Sequence, residues 1–479
     1  MMKLKSILYI GAGMLLVSSC GTYKHTRQQL YAPYERPAVN TKGIFRDTLS
    51  FSRDTISLTD TLVATDTVSF GQMPWRSVFT DPYLRELIEK ALVNNTDLLN
   101  AALNVKMAEE QLKVARLAFL PSITFAPSGT ISSWDFGKVS KTYQLPLSAS
   151  WNVNLFGGFL SQKRSAQAAL LATQDYQTVV KTNIISAVAN MYYTLLMLDS
   201  QLAVLDDMEQ LTKDTWELMK LLKDTRVGYR STSVQSAEAN YLSVQSQRVD
   251  MVRQVREVEN SLSLLLGQPA QAIPRGRLDD QSLPAELATG VAVSLLANRA
   301  DVHAAEMQLA QCFYGIENAR SRFYPNLTIN PSGIFTNSAG VGVVNPGKIL
   351  LSAVGSLAQP IFMNGQLKAG LRVAEAQYEQ AYNTWQQSIL TAGSEVSNAL
   401  VQYQAADEKG SIEARQIEVL KQNVADIKTL MTRASGTTYL EVIQAQSSLL
   451  NAQISKITDD FNKMQAVVNL YQALGGGVK

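Results

Sequence analysis

Residues 119–129 read FLPSITFAPSG, and residues 323–333 read FYPNLTINPSG. The two stretches align on their prolines at an offset of 204 (325 − 121), and a later pair, Gly267 and Gly475, lies 208 apart (475 − 267). Recurrence at a nearly constant offset is the signature of two structural copies that differ by small insertions. The sequence therefore predicts an internally duplicated fold.

Each copy opens with residues patterned as β-strands. Between Tyr143 and Leu155 the odd-numbered positions are apolar and the even-numbered positions are mostly polar, which is the period expected of a strand with one apolar face. The residues around Ile123 alternate in the same way, and the second copy repeats the pattern less cleanly as far as Ile361. We therefore expect two hairpins, at about 121–156 and 325–362, with four strands in all.

Long helices are predicted after the strands in both copies. No proline occurs between Pro146 and Pro269, and apolar residues in this span step alternately by four and three. That spacing is typical of a coiled-coil seam. Gly228 and Gly436, 208 apart (436 − 228), interrupt the two helical runs and predict the turn between an outgoing and a returning helix. The seam residues of the first copy are Ile184, Val188, Met191, Leu195, Leu198, Leu202 and Leu205.

The N-terminus has the features of an export signal. Two lysines precede an apolar stretch over residues 7–17, and small residues follow before Cys20. The stretch is too short to cross a bilayer as a helix, so residues 1–19 are expected to be a signal peptide. Its ending resembles a bacterial lipobox, which implies cleavage before Cys20 and acylation of the cysteine sulfur; a free cysteine at the end of an ordinary signal sequence is the alternative. By the same resemblance, Gly21 permits sorting to the outer membrane.

Charge and hydropathy restrict the function further. The formal net charge of +2 provides no strong basic field for nucleic acid. No later stretch has about 18 consecutive apolar residues, so a membrane-spanning region would have to be made of strands. Four strands alone would expose unpaired backbone groups to hydrocarbon at their edges, so several chains would have to complete one barrel.

The order of these features resembles one known family. The lipobox, the duplicated hairpins and the helices with a coiled-coil seam occur together with several short motifs. In this combination the sequence resembles the TolC-like outer membrane efflux proteins, specifically their lipoprotein branch of the NodT and OprM type. Ala300 stands where the family pattern has proline. The matching motifs are Phe79-Thr80-Asp81-Pro82-Tyr83-Leu84, Asn154-Leu155-Phe156-Gly157, Asn298-Arg299-Ala300-Asp301-Val302 and Gln359-Pro360-Ile361-Phe362.

The resemblance implies a membrane α+β fold in a homotrimer. Each chain would contribute four strands to a twelve-stranded transmembrane β-barrel, which a long coiled-coil α-helical barrel would continue into the periplasm. The implied location is the outer membrane of a Gram-negative bacterium. The implied partners are a periplasmic adaptor protein and an inner-membrane pump of the resistance-nodulation-division type, and the chain would be the passive exit duct for small molecules.

Two alternative functions remain open at this point. The chain could be the exit duct of a type I protein secretion system. It could also be a non-conducting periplasmic coiled-coil scaffold lipoprotein. The alternating strand from Tyr143 to Leu155 argues against the scaffold, because a scaffold has no use for a lipid-facing stripe.

The expected domain organisation follows from these features. The segment after the signal peptide is rich in Thr, Ser and Asp and poor in large apolar residues, which is typical of an extended tether; a short β-ribbon is the alternative. The expected parts are the signal peptide at 1–19, the lipid-anchored tether at 20–75, the first repeat at 76–270 and the second repeat at 271–479.

The resemblance also suggests a gate. In the family, side chains near the helical turns constrict the periplasmic tip of the tunnel, and acidic residues are common there. Asp426, ten residues before Gly436, and Asp224, close to Gly228, are the candidates for this aperture, with a solvated outer helix face as the alternative. Three symmetry-related carboxylates would favour cations.

We expect no catalytic site, no metal site and no cofactor. The two histidines, His25 in the tether and His303 in a predicted helix, leave little material for a Ser-His-Asp triad. His303 and Cys312 are nine residues apart and supply only two ligands, so helix packing is the better interpretation of both. Energy for transport would come from the pump.

Overall fold

The computed structural model describes residues 31–38, 73–133, 135–225, 230–281, 299–338, 344–433 and 439–476. The helices are α1 (Trp75–Val78), α2 (Pro82–Asn94), α3 (Thr96–Leu117), α4 (Gly158–Thr225), α5 (Ser231–Leu265), α6 (Ala300–Ser321), α7 (Gln366–Arg433) and α8 (Tyr439–Ala473), with a 3-10 turn at Leu278–Asp280. The strands are β1 (Ser122–Phe125), β2 (Ser128–Ser132), β3 (Ser140–Val153), β4 (Asn326–Ser338) and β5 (Val344–Ala358).

The described strands form one antiparallel sheet. β1 and β2 both pair with β3, β3 pairs with β4, and β4 pairs with β5. β1 and β2 therefore share one strand position, and the break between them falls at Ala126 and Pro127. Proline lacks the amide N–H that a ladder needs, which explains the interruption. The predicted four strands are confirmed as four strand positions.

One end of the second hairpin differs from the prediction. β5 ends at Ala358, so Ile361, which was expected within the strand, lies beyond it. The physical reason is Pro360, which cannot donate to a neighbouring strand and fixes its own φ. The apolar side chain of Ile361 is almost fully exposed.

The two copies match element by element, which confirms the predicted duplication. α3 and α6 each have 22 residues at an offset of 204 (300 − 96). α4 and α7 each have 68 residues, and α5 and α8 each have 35, at an offset of 208 (366 − 158 and 439 − 231). α4 and α7 begin directly after Gly157 and Gly365, whose φ angles of 77° and 79° lie in the left-handed region that glycine tolerates.

By packing, the chain divides into two compact units, and each unit contains segments of both copies. The first unit is Met1–Val39, Leu103–Gln174 and His303–Gln387, and the second is Asn40–Ala102, Asp175–Val302 and Ser388–Lys479.

The second unit holds the main hydrophobic core. The predicted seam residues Val188 and Leu195 are fully buried there, together with Tyr471 of α8. Phe79 packs edge-on against Tyr471 with ring centroids 5.9 Å apart, and the Tyr471 hydroxyl donates to the carbonyl oxygen of Met73 at 2.8 Å. The 3.5-residue period thus marks the face of α4 that packs against its neighbours.

None of the helices in the described segments has both the length and the apolar character needed to cross a lipid bilayer.

Candidate functional site

One face of the sheet is apolar. In every ladder odd-numbered residues pair with odd-numbered ones: Ile123 with Ala149, Leu145 with Phe335, and Phe335 with Ile349. Because side chains alternate along a strand, all odd-numbered residues share one face of the sheet. The exposed apolar side chains on this face include Phe125, Tyr143, Leu147, Trp151, Leu351 and Leu357.

The opposite, even-numbered face is mostly polar, with Ile334 and Val354 among its apolar members. Ser150 Oγ donates to Asn330 Oδ1 at 2.8 Å, and the hydroxyl oxygens of Ser332 and Ser352 are 2.7 Å apart. Thr336 Oγ1 donates to the carbonyl oxygen of Tyr143 at 2.9 Å. These neutral groups extend across neighbouring strands and suit contact with water, whereas the odd-numbered face suits lipid.

Strand length and edges complete the description of the sheet. β3, β4 and β5 have 14, 13 and 15 residues, more than the 9–11 or so that a tilted strand needs to cross the hydrocarbon layer. Within the described sheet, β5 forms one edge and the β1/β2 position forms the other. An edge strand carries N–H and C=O groups that can pair with another chain.

The helices that follow the hairpins are unusually long. α4 and α7, with 68 residues each, measure about 100 Å at 1.5 Å per residue. Near the far end of α4, Met219 and Leu222 are buried with Val442 of α8, and Ile427 of α7 packs against this cluster. The packed cluster continues the apolar seam towards the ends of both helices.

The aperture candidates lie near these helix ends. Asp224 is exposed, one residue before the end of α4, and Asp426 is exposed seven residues before the end of α7. Asp426 Oδ1 accepts a hydrogen bond from Gln422 Nε2 at 2.9 Å. Gly228 and Gly436, the predicted turn residues, lie outside the described residues, as does Cys20. No measured contact within the described segments brings the two aspartates together.

Arg299 has a role that sequence reasoning missed, although it lies in a motif quoted for the family resemblance. Its side chain is buried and donates twice to Asp301, at 2.9 and 2.7 Å, and once to the carbonyl oxygen of Ala473, at 2.9 Å. It also lies 2.8 Å from a carboxylate oxygen of Glu395. Arg299 therefore joins the start of α6 to α7 and to the end of α8.

The first copy makes the corresponding contact with a neutral residue. Asn95 lies 204 positions before Arg299 and donates from Nδ2 to the carbonyl oxygen of Leu265 at 2.9 Å. Leu265 lies 208 positions before Ala473, so the same carbonyl position receives the bond in both copies. The shared offset could have directed attention to this pair in the sequence.

The residues considered for metal binding are parts of helix α6. Within the described segments no group of three or more His, Cys, Asp or Glu side chains is arranged to hold a metal ion. Cys312 is partly buried as a free cysteine, and this burial raises the pKa of its thiol. A protonated thiol is a weak metal ligand and a weak nucleophile.

Comparison with known proteins gives a consistent result. The profile of the family described as outer membrane efflux protein matches residues 87–268 and 291–476. The chain is 28% identical over 421 residues to the pyoverdine export outer membrane protein OpmQ of Pseudomonas putida, which covers 84% of this chain and 88% of that protein. It is 27% identical over 473 residues to the cation efflux system protein CusC of Escherichia coli, covering 96% and 98%.

A solved structure has the same fold. The open state of the MtrE outer membrane channel of Neisseria gonorrhoeae superimposes with a TM-score of 0.81 at 24% identity, covering 94% of this chain and 98% of that one. The predicted fold class, a strand region continued by long coiled-coil helices, is confirmed by this likeness. Since the family profile also matches well over half of the sequence, the chain belongs to the outer membrane efflux protein family.

Proposed function

We propose that this chain is one subunit of a homotrimeric exit duct, through which an inner-membrane pump and a periplasmic adaptor protein pass small molecules to the exterior. The observation that carries the proposal is the two-faced sheet, which is apolar on one side, mostly polar on the other, and bounded by β5 and the β1/β2 position. The polar face would line water, and the apolar face would contact lipid.

Barrel geometry sets a lower limit on the number of copies. An open sheet edge in hydrocarbon leaves backbone groups without partners, so the strands must close into a ring. Two copies would supply eight strand positions, and barrels of about eight strands are filled by their own side chains. Three copies would supply twelve positions and leave room for a lumen, which agrees with the homotrimer that the family resemblance implies.

The long helices support the duct assignment. Because α4 and α7 begin within a few residues of the hairpins and extend for about 100 Å, they can continue a lumen well beyond the membrane. Nothing in this arrangement supplies energy, so we assign energy coupling to a pump of the resistance-nodulation-division type and no catalytic step to this chain. A scaffold would not use the exposed apolar face of the sheet.

The transported substrate is assigned only as a class, small molecules. OpmQ is named for pyoverdine and CusC for cations, yet both are about equally similar to this chain, at 28% and 27% identity. The hydrogen-bonded groups on the even-numbered face, Ser150, Asn330 and Ser352, are neutral and favour no single charge on the solute. We therefore place substrate selection in the pump.

The assembly is tested by measuring the mass of the purified protein in detergent, corrected for bound detergent, together with conductance in planar lipid bilayers. A trimer with stable, long-lived conductance is expected. A monomer with its strands intact by circular dichroism, or a trimer that never conducts, would contradict the duct.

We further propose that Cys20 carries the lipid anchor, which is supported by the lipobox-like ending of the signal peptide at residues 16–20. Mass spectrometry of the mature N-terminus should find a diacylglyceryl cysteine with an added acyl chain, and Cys20→Ala should abolish it. A mature parent chain that starts elsewhere, or that carries no lipid, would refute the anchor.

The gate assignment to Asp426, with Asp224 as the second candidate, is also part of the proposal. Three carboxylates around one axis repel each other, so they must be held by donors such as Gln422, whose amide already contacts Asp426 at 2.9 Å. Each exposed polar contact of this kind is weak, so adaptor binding could overcome three of them.

The gate is tested by single-channel recording. Asp426→Ala should raise conductance and weaken block by trivalent cations, because it removes a carboxylate from the constriction. Glu418→Ala, an exposed acid on the same helix, is the matched control and should behave like the parent. Equal conductance and equal block for the parent and both variants would place the constriction elsewhere.

A further inference from the structure

The long helices of the second copy carry a pair of acidic side chains where they pack together. Glu413 lies on α7, 20 residues before its end (433 − 413), and Asp459 lies on α8, 20 residues after its start (459 − 439). At 1.5 Å per residue, both are about 30 Å from those helix ends. The two carboxyl groups are within hydrogen-bond reach of each other, so they form a direct contact between α7 and α8.

Water has little access to this contact. The Asp459 side chain is 9% exposed, and Glu413 Oε2 is buried with no hydrogen-bond partner among the described residues. A buried carboxylate oxygen without a donor has lost its hydration and has gained no bond in return. The ionised form of Glu413 is therefore disfavoured at this position.

The donors beside the pair serve Asp459. Asn462 Nδ2 donates to Asp459 Oδ1 at 3.2 Å, and Lys409 Nζ lies 3.6 Å from Asp459 Oδ2. Hydrogen bonds and a nearby cation stabilise a carboxylate. The negative charge therefore belongs on Asp459 and the proton on Glu413, whose O–H can donate to Asp459.

Three charged groups in the described segments act on Glu413. Asp459 disfavours its ionised form, whereas Lys409 and Lys456 favour it. Lys409 is 63% exposed, and Lys456 is paired with Asp460, so water and a second carboxylate weaken the effect of both cations. Burial and the charge of Asp459 prevail, and together they raise the pKa of Glu413.

The neighbouring contacts of α8 carry no net charge. Gln201 of α4 is neutral and donates to Thr458 Oγ1 at 3.1 Å. Asp407 of α7 and Lys463 of α8 form an ion pair of opposite charges. Of these contacts, the acidic pair is the one that becomes repulsive when it loses a proton.

The first copy has apolar residues at the two equivalent positions. With the offset of 208 that relates α4 to α7 and α5 to α8, Glu413 corresponds to Leu205 and Asp459 corresponds to Met251. Leu205 is 1% exposed, and Met251 packs against the cluster that contains it. Apolar side chains therefore suffice to pack the two helices at this height, and the acidic pair makes the contact sensitive to pH instead.

We propose that Glu413 and Asp459 share one proton that holds α7 against α8, so that the contact between these helices weakens as the pH rises while the equivalent contact between α4 and α5 does not. When Glu413 is protonated, its O–H donates to the Asp459 carboxylate across the helix interface. When the pH rises, the proton passes to water and two carboxylates repel each other in contact. This pH switch lies within one chain and does not require the assembly proposed above.

The direction of the effect follows from the state that binds the proton. Once the contact opens, Glu413 is hydrated and titrates at its ordinary value of 4.5, whereas the closed contact keeps the proton to higher pH. Closing therefore binds a proton in the interval between the two values. Within that interval each pH unit favours opening by up to about tenfold, and the stabilisation by Glu413 is complete below about pH 4.5.

The weakening is tested by amide hydrogen exchange of the full-length protein in detergent at pH 5 and pH 8, followed by mass spectrometry and corrected for the intrinsic effect of pH. The protection of residues 405–421 of α7 should be lower at pH 8, whereas the equivalent residues 197–213 of α4 should keep theirs. In Glu413→Gln the side-chain amide can donate to Asp459 at both pH values, so the protection of α7 should not change with pH.

The proton is tested by infrared titration. The difference between the spectra of the parent and of Glu413→Gln should contain the C=O band of a protonated carboxyl group at pH 5, and this band should weaken towards pH 8. Glu317→Gln is the matched control, because Glu317 is a buried acid on α6 whose pKa burial also raises. It should remove a carboxyl band and leave the pH effect on residues 405–421 as in the parent.

The double variant Glu413→Leu with Asp459→Met reproduces the residues of the first copy and should show equal protection of α7 at pH 5 and pH 8. Helix content equal to that of the parent by circular dichroism shows that each variant folds. A loss of protection with pH that persists in Glu413→Gln would overturn the switch, as would a parent whose protection does not change. The expected pH effect in a protein that is monomeric by mass would support the switch and count against the trimer alone.

Discussion

Replacing Arg299 by methionine should destabilise the junction between the start of α6 and the ends of α7 and α8. The side chain of Arg299 is 8% exposed, and its guanidinium group contacts Asp301, Glu395 and the carbonyl oxygen of Ala473 at distances from 2.7 to 2.9 Å. Methionine keeps most of the apolar stem and removes every one of these polar contacts.

The size of the destabilisation depends on whether the groups that Arg299 contacts can find other hydrogen-bond partners once the guanidinium group is removed. Asp301 and Glu395 are 39% and 48% exposed, so water can hydrate them, and the roughly 3–5 kcal/mol cost of isolating a buried charge does not apply in full. The carbonyl oxygen of Ala473 is buried and loses its charged donor. We expect a loss of about 2–4 kcal/mol in the free energy of unfolding, given hydrogen bonds to charged groups of about 1.5–3 kcal/mol.

The loss is measured from the midpoint and slope of guanidinium-induced unfolding, followed by circular dichroism at 222 nm in detergent. Arg415→Met is the matched control on α7, because Arg415 and its partner Glu418 are 73% and 70% exposed, and its midpoint should not move. Arg299→Lys should fall between parent and Arg299→Met, since an ammonium cannot span all three acceptors. Equal midpoints for Arg299→Met and Arg415→Met would refute the reasoning.

Three other predictions concern stability. Burial and the facing carboxylate of Asp459 raise the pKa of Glu413 above its ordinary 4.5, so the stability this residue contributes is complete below about pH 4.5 and is lost as the pH rises through the raised value. Glu413→Gln should therefore raise the unfolding temperature at pH 8 and leave it unchanged at pH 4; an equal gain at both values would contradict this. Gly267→Ala should cost at least about 1–2 kcal/mol, because φ is +67° and the new Cβ would lie 2.7 Å from the carbonyl oxygen of Asn94. Gly410 lies in helix α7 with no neighbouring atom near the position of a new Cβ, so Gly410→Ala should stabilise the protein by about 0.5–1 kcal/mol in the same unfolding assay. A loss of stability would contradict this expectation.

Much of the fold could be predicted from the sequence because its signals are local. The alternation predicted from Tyr143 to Leu155 depends on residues two apart, and the structure places it in β3 as far as Val153, with Leu155 beyond the end of the strand. The seam through Val188 and Leu195 depends on residues three and four apart, and those residues are core residues of α4. Such a period depends only on residues that are close in the sequence, so it can be recognised without knowing how the rest of the chain folds.

Contacts between distant residues could not be predicted in this way. Arg299 and Ala473 are 174 positions apart, and Asn95 and Leu265 are 170 apart, yet each pair is joined by a hydrogen bond. No periodicity marks such a pair, because it depends on which helix ends come together after folding. The break between β1 and β2 differs from these contacts, because one local residue, Pro127, accounts for it: proline cannot continue a ladder.

The sequence by itself determined the internal duplication, the strands with one apolar face, the helices with a coiled-coil seam and the family resemblance. Only the tertiary structure decided how the copies differ: α6 is covered by α4, by α7 and by residues 31–38, while the equivalent helix α3 keeps its apolar face exposed. The physical reason is that a pattern specifies which face of a helix can be buried. Whether that face is covered depends on the neighbour that folding places beside it.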